Sequence, residues 1–495
     1  MIVGQIVGGK FSELLLRVKS SFDLELGELL IAEVSPSQHI LFEVTDLFYG
    51  SQLSAQHLEL ISGFSLENDQ HTDFLEPELR NYTLAKIKNV LTITQGVPSA
   101  PKQVPPFFGM VRKLKESDVP FLSKHSMTFG LLRSGSEEFS VPVTLDATKV
   151  FTHHLLITGT TGKGKSVLMK NVLWHAATQS SLSLLVFDPH NEYYPSPGLI
   201  DYPDHSKVSC YSTNDALPGI NTLRFHTSVL RPEHFDIVGF SSPQQQLLFT
   251  YYKRYGADWI VKLFTEETKD FHEASLAVVR RRMRLLLDVD NKLNFDGIFV
   301  TSGGENTLAS LRQDVLAGKI IIIDTSSFSG KEELLLATLI TSSLYTYYRK
   351  NKATPKPTLN IVLEEAPRVL GKDVLDQGGN VFSTIAREGR KFSMSLTAIT
   401  QLPSLIPKDI LANMNTKIIL GMEMAAERNV IVEAAPFDLR DATKAIASLD
   451  KGEAILCSNF AKFAIPLHVP FFDKELPTLK KAVRTSSLSF HELKE

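Results

Sequence analysis

Cysteine is almost missing from this chain: two thiols, Cys210 and Cys457, in 495 residues, with no spacing that a metal site uses. That excludes a disulfide framework and suits a reducing cytoplasm. No run approaches the roughly 18 apolar residues of a membrane-spanning helix. The opening residues, MIVGQIVGGKFSELLLRV, lack the charged start and apolar stretch of a secretory leader. The expectation is a soluble, cytoplasmic protein with no membrane partner. A dominant charge is lacking too: 52 Lys+Arg stand against 55 Asp+Glu, a net charge of −3. The chain is therefore not coated in basic residues, although a basic stripe inside a ring or groove would hardly move that total. Internal repeats and low-complexity tracts are also absent.

What is present is ordinary globular composition, 43% hydrophobic and 22% charged, with length for two or three domains of about 100–200 residues each. Residues 1–100 hold short β-rich runs (LLLRV, ELLIAEV, HILFEV, AKIKNVLTIT) separated by turn residues, which reads as a small β-barrel or sandwich. The proline-rich VPSAPKQVPPFFG opens a linker expected to fill residues 101–140. Over 141–470 apolar strands alternate with helical stretches, the pattern of an α/β fold with a parallel sheet. HHLLITG, LSLLVFD, KIIIID, LNIVLEE, MSLTAIT and TKIILGM are continuous apolar runs, as expected of strands buried on both faces. A helical insertion is expected at about 230–315. Residues 471–495 form a polar tail, expected to pack loosely or on a neighbour.

Within LLITGTTGKGKSVLMKN, Gly159-Thr160-Thr161-Gly162-Lys163-Gly164-Lys165-Ser166 matches G-x-x-x-x-G-K-[ST] in full, between a strand and a helix. Glycines let backbone N–H groups converge on phosphate oxygens. Lys165 reaches the β- and γ-phosphates, the Ser166 hydroxyl ligates Mg²⁺, and the helix that follows aims its positive end at the same anion. Residues 159–166, with Val167 next in line, are thus the expected site for ATP and Mg²⁺.

Hydrolysis needs a carboxylate for the metal and usually a second to polarise water. Three strands end in acid, at Asp188, at Asp324 and at Glu364-Glu365. Only the last offers adjacent carboxylates, so Glu364 is assigned to the metal and Glu365 to the water, with Asp324 as rival. Asp188 lies near the γ-phosphate or caps a turn. Downstream, Arg387, Arg390 and Lys391 precede a strand that Gln401 closes. Gln401 is placed to sense the γ-phosphate. The arginines either reach a neighbour's nucleotide as fingers or form a solvated helix end.

GTTGKGKS, FDPHNEYY, IVLEEAPRVL, IAREGRKF with LTAITQLPS, and SLDKGEAIL, in this order, resemble the HerA family of hexameric DNA translocases, in the FtsK–HerA group of RecA-like ATPases. The resemblance implies an N-terminal HAS barrel, a RecA-like P-loop core and a ring of six. It implies ATP-driven movement on double-stranded DNA, with a NurA-type nuclease, in end resection and double-strand break repair. It assigns Lys165 and Ser166 to nucleotide and Mg²⁺, Glu365 to catalysis, Gln401 to sensing, and Arg390, with Arg387 close by, to a trans-acting finger. Three positions depart from the family pattern. His153-His154 stands where Arg-His is common, which weakens an expected cis arginine contact. Pro367 replaces a frequent His, and Leu402 a usual Arg.

Arg280, Arg281, Arg282 and Arg284 spread around a predicted helix rather than forming one stripe, and read as a solvated or inter-subunit face more than a DNA contact. Two other functions fit the motifs: a conjugation or secretion coupling motor, and a nucleotide-stabilised scaffold in a defence complex.

Overall fold

The computed structural model describes residues 1–67, 81–214, 219–266, 271–376 and 378–491. Parts of the expected barrel at 68–80, of the insertion at 267–270 and of the tail at 492–495 lie outside the described residues.

The β-rich start forms strands β1 (Ile2–Lys10), β2 (Glu13–Val18), β3 (Leu29–Ser35), β4 (Gln38–Ser51), β5 (Asn81–Thr94), β6 (Val97–Ser99) and β7 (Met110–Lys113). They pair in the order β2-β1-β7-β3-β4-β5-β6, and β2 also pairs with β5, so the sheet closes on itself as an antiparallel barrel. Alternation explains the closure. Leu14 and Leu16 of β2, Ile40 and Phe42 of β4, and Ala85 and Ile87 of β5 all point inward to one small core.

The stretch 101–140 does not run as a linker. Met110–Lys113 closes the barrel between β1 and β3. β8 (Met127–Ser134) and β9 (Glu137–Leu145) form a hairpin on the edge of the second sheet. Pro101, Pro105 and Pro106 precede β7, which at four residues is too short to carry a pattern of its own.

That second sheet contains β10 (Leu155–Thr158), β11 (Leu182–Asp188), β12 (Val208–Ser212), β13 (Ile220–Thr222), β16 (Ile320–Asp324), β17 (Thr358–Leu363), β18 (Met394–Thr400), β19 (Thr416–Leu420), β20 (Glu453–Ser458) and β21 (Ile465–His468). β14 (Phe225–His226) and β15 (Phe299–Val300) pair separately. The order is β13-β12-β16-β11-β17-β18-β10-β19-β20-β21-β8-β9. From β13 to β19 every pairing is parallel; from β19 to β9 every pairing is antiparallel. The six apolar runs read from the sequence are thus neighbours in one sheet.

Residues alternate between two cores on either side of it. Leu156, Ile321 and Ile323 face helices 242–255, 259–265, 273–287 and 330–350. Leu155, Ile157, Ile320 and Ile322 face the helix Lys165–Ala176 and the β8–β9 hairpin. Phe472, which opens the helix Phe472–His491, is buried against Trp174 with ring centroids 5.6 Å apart. Lys480 pairs with Asp201 at 2.9 Å. The first turns of the tail are therefore held on the chain's own core, because an aromatic anchor and an ion pair outweigh the polar surface of the rest.

Three of the four arginines in VVRRRMR hold the helical insertion together. Arg280 donates to the carbonyls of Leu263 and Glu266 at 2.6 and 2.7 Å. Arg282 bonds Gln244 and Gly239 and lies over Phe240, and Arg284 bonds Asn291. Arg281 alone of the four is exposed. Among the described residues no helix is long and apolar enough to cross a membrane.

Candidate functional site

In a parallel sheet every strand delivers its C-terminal residue to the same edge. β10 runs beside β18 with Thr158 opposite Thr400, and β18 runs beside β17 with Leu363 opposite Ala398. The phosphate loop after Thr158, Gln401 after Thr400, and Glu364-Glu365 after Leu363 therefore emerge side by side.

The loop takes its shape from its glycines. Gly162 and Gly164 have φ of 80° and 105°, backbone that other residues rarely adopt. A Cβ on Gly159 would lie 2.7 Å from Leu420 Cβ, so only glycine lets the loop leave β10 against β19. Two tethers fix it: Thr160 N–H donates to Gly421 O at 2.9 Å, and Lys163 Nζ to Leu449 O at 2.9 Å. Gly452 N–H returns a bond to Lys163 O at 3.2 Å. No side chain caps the helix Lys165–Ala176, whose first N–H groups face the loop. Lys165 Nζ lies over the loop, donating to the carbonyls of Gly159 and Thr160 at 2.9 and 3.2 Å. Burial lowers the Lys165 pKa, and the nearby Glu365 and Glu364 oppose that shift. The lysine and both carboxylates thus share one electrostatic environment.

Thr161 Oγ1 donates to Gln401 Oε1 at 2.7 Å, and Gln401 Nε2 donates to Glu365 Oε1 at 3.4 Å. One amide side chain therefore joins the phosphate loop to the second carboxylate. Glu365 is exposed and has a φ of 49°, unusual for a residue with a side chain. Such strain persists only where neighbours enforce it, and it concentrates at functional positions. Here Ala366 N–H bonds Ile399 O of β18 at 3.0 Å, which locks the turn.

Glu364 is half-buried and accepts a hydrogen bond from Tyr193 Oη. Burial pushes its carboxyl up to about 7; the Tyr193 hydroxyl works against this, while the negative charges of Asp188, Glu192 and Glu365 add to it. Tyr193 comes from the FDPHNEYY segment, so that segment supports the acidic pair.

Asp188 itself is 1% exposed. Its carboxylate accepts the N–H groups of His190, Glu192 and Tyr193 at 3.3, 3.1 and 2.9 Å, so it caps the turn that delivers Tyr193. This is the turn role, and it turns both oxygens toward the chain's own backbone rather than toward the phosphate loop. Asp324, the rival metal acid, accepts from Ser212 and from Ser326 N–H and Oγ, and its strand β16 lies beyond both β11 and β17 from the loop. Glu364 keeps the better position.

The arginines are not brought to this edge. Arg387 and Arg390 precede β18 and so lie at the opposite, N-terminal end of the sheet. β18 has seven residues, which at 3.3 Å per residue is roughly 23 Å of extended chain. Neither guanidinium reaches the phosphate loop of its own chain. Arg387 pairs with Asp409 at 3.2 Å, whereas Arg390 is exposed. His153 and His154 stand at the same far end, before β10, so a residue there makes no cis contact with the loop. His154 is buried, accepts Leu396 N–H on Nδ1 at 3.0 Å, and is held down to about 4, by burial first and then by the charges of His153 and Arg390. Pro367 begins a short helix in which Arg368 bonds Glu333 at 2.6 Å.

Sequence reasoning missed Tyr193 as the partner of Glu364, and Leu449–Gly452 as a clamp on Lys163. The quoted runs FDPHNEYY and SLDKGEAIL contain both, but nothing in their spacing says what they touch.

The family described as "Helicase HerA, central domain" matches residues 127–344. The DNA double-strand break repair helicase HerA of Sulfurisphaera tokodaii is 25% identical over 96% of this chain and 94% of its own length. That of Saccharolobus solfataricus is 24% identical over 96% and 93%. Among solved structures, the bacterial conjugative coupling protein TrwB aligns with a TM-score of 0.49 at 13% identity, covering 73% of this chain and 92% of its own. The phosphate loop and the first turns of its helix lie within the matched central domain, and over nearly its whole length the chain is similar to HerA helicases.

Proposed function

We propose that the protein hydrolyses ATP to move along double-stranded DNA, as a ring of six identical subunits working with a NurA-type nuclease at broken ends. The observation that carries the reading is the Thr161–Gln401–Glu365 chain, which ties the phosphate loop to a carboxylate. The likeness to DNA double-strand break repair helicases supports the choice of DNA and of repair.

The roles follow from position. Gly159–Val167 cradle the triphosphate through backbone N–H groups and the helix end. Lys165 moves from the loop carbonyls to the β- and γ-oxygens, a better partner for a half-buried ammonium. Ser166 and Glu364 offer hard oxygen ligands, a donor set that fits Mg²⁺. When bound, Mg²⁺ neutralises charge on the phosphate oxygens. Glu365 orients and polarises the attacking water, and Gln401 reports the γ-phosphate to that carboxylate. Asp188 acts one step back, by holding the turn that presents Tyr193 to Glu364.

Arg390, with Arg387 beside it, completes a neighbour's site. The two guanidiniums stand on the far edge of their own sheet, so a head-to-tail ring brings the arginine edge of one subunit to the phosphate edge of the next. A closed ring satisfies every site.

ATP turnover with and without linear duplex DNA tests the reading. Duplex should raise turnover several-fold, and Lys165→Ala should abolish it. A rate indifferent to DNA of every form contradicts the assignment.

A further inference from the structure

Gln401 joins the phosphate loop to Glu365, but its side chain is only as well placed as the loop that carries it. We infer that Glu427, a buried acid outside every motif, is the positioning residue that sets Gln401, acting through Ser404. The inference rests on the hydrolytic reading of the Thr161–Gln401–Glu365 chain.

Glu427 lies in the first turn of the helix Ala425–Ala434 and is 5% exposed. The positive end of that helix favours an acid in this turn. A carboxylate so deeply buried is costly unless its oxygens are bonded. Both oxygens go to one residue. Ser404 N–H donates to Oε2 at 2.9 Å, and Ser404 Oγ donates to Oε1 at 2.6 Å. The acid therefore holds the loop that leaves β18 by two points on a single residue.

Ser404 stands three residues beyond Gln401, and the link between them is stiff. Leu402 N–H donates to Thr400 Oγ1 at 3.0 Å, and Ile406 N–H closes the turn on Pro403 O at 3.0 Å. Pro403, buried between them, has its φ fixed by its ring. A shift of Ser404 is thus passed to Gln401. Gln401 has little slack to absorb it: its bond to Thr161 is 2.7 Å, but its bond to Glu365 is 3.4 Å. A retreat of a few tenths of an ångström breaks the contact with the acid first. Lys372 also reaches this residue, donating to Ser404 O at 3.1 Å, but from an exposed side chain.

The base of the grip is itself held. Arg428, the next residue, donates through Nη1 to the carbonyls of Met422 and Glu423 at 2.8 and 2.6 Å, just beyond β19. Gly421, one residue earlier, accepts Thr160 N–H of the phosphate loop at 2.9 Å. β18 and β19 are the two strands that flank β10. Adjacent residues of one helical turn therefore hold the segments leaving both strands, and Gln401 is registered against the phosphate loop by the same element.

The test separates positioning from folding. ATP turnover and ADP affinity are measured on the full chain for wild type, Glu427→Ala, Glu427→Gln and Ser404→Ala, and for Glu427→Ala combined with Gln401→Ala. Glu427→Ala should lower kcat on the order of tenfold, less than the roughly 10²-fold that a full 1 Å misplacement can cost, and leave ADP affinity unchanged. Glu427→Gln should keep most of the rate, because its amide can accept from Ser404 N–H and donate to the Ser404 hydroxyl. On the Gln401→Ala background Glu427→Ala should cost no further rate, since both changes act at one point. Ser404→Ala removes one of the two bonds from the loop side and leaves the helix intact, so it should show a smaller loss of the same kind even where Glu427→Ala fails to fold. Unchanged kcat in Ser404→Ala overturns the inference. So does a Glu427→Ala loss that adds in full to that of Gln401→Ala, or one matched by an equal loss of ADP affinity, since the acid would then serve the fold alone. A wild type that hydrolyses no ATP, with or without duplex DNA, would instead sink the hydrolytic reading beneath it.

Discussion

Tyr193 donates its phenolic hydrogen to Glu364 from a segment 171 residues away. The phenol is buried and shifted well above its ordinary range, so it remains a donor at every working pH. Its bond favours the charged form of a carboxyl that burial otherwise pushes up to about 7. Removing the hydroxyl should therefore raise the Glu364 pKa further. If Glu364 must be ionised to hold its ligand, Tyr193→Phe shifts the acid limb of the ATPase profile to higher pH. Activity near pH 7 falls, and wild-type rates return toward pH 9. Parallel profiles for the two proteins would show that the bond is structural only.

Glu365 is hydrogen-bonded toward the phosphate loop through Gln401, at 3.4 Å. Its proposed work begins at the attacking water, not at binding. Glu365→Gln should lower turnover by roughly 10²–10⁴-fold, the usual weight of a positioned base, with nucleotide affinity nearly unchanged. Single-turnover hydrolysis beside a binding titration checks this. A parallel loss of affinity would move Glu365 into the binding set.

Much of this site could be read from the chain itself. The phosphate loop announces itself because its chemistry needs glycine at fixed offsets. The acid-ended strands stand out because parallel strands buried on both faces are long apolar runs, and a charge at the end is conspicuous. The order of those strands was not legible, and order decides the choice of acids: β18 alone stands between β17 and β10, whereas β11, β17 and β18 all stand between β16 and β10. Contacts between distant segments were equally hidden, since Thr161 and Gln401 are 240 residues apart and share no pattern. The stretch 101–140 was misread for another reason. The four residues of β7, just after Pro101, Pro105 and Pro106, carry too little alternation to separate from a linker, and the apolar residues of β8 (MTFGLLRS) do not strictly alternate.

Arg390 is exposed on the edge of the sheet opposite its own phosphate loop. A finger acting in trans contributes to the transition state of a neighbour and little to its ground state. Arg390→Ala should cut turnover by on the order of 10³-fold while each subunit still binds ATP. Mixing Arg390→Ala with Glu365→Gln subunits provides the decisive check: activity should recover in part, because a wild-type acid and a wild-type finger can meet across one interface. No recovery at any ratio contradicts a trans role.

Acid should destabilise the fold through buried histidines. His175, in the phosphate-loop helix, is depressed by burial from 6.5 to about 4. A depressed folded-state value means the unfolded chain binds the proton more readily. The contribution to stability is present above about pH 6.5 and is lost as pH falls toward 4. It amounts to at most about 3 kcal/mol for such a shift. Melting temperatures at pH 7.5 and 5.0 should differ less in His175→Leu than in wild type. An equal difference would assign the acid sensitivity elsewhere.

The central claim is that hydrolysis at the loop drives motion along duplex DNA, and displacement of a third strand from a triplex tests it most directly. The protein with ATP should strip the third strand from a long linear duplex, and Glu365→Gln should bind the same substrate and strip nothing. Third-strand release that proceeds equally without ATP, or in Glu365→Gln, would contradict the account.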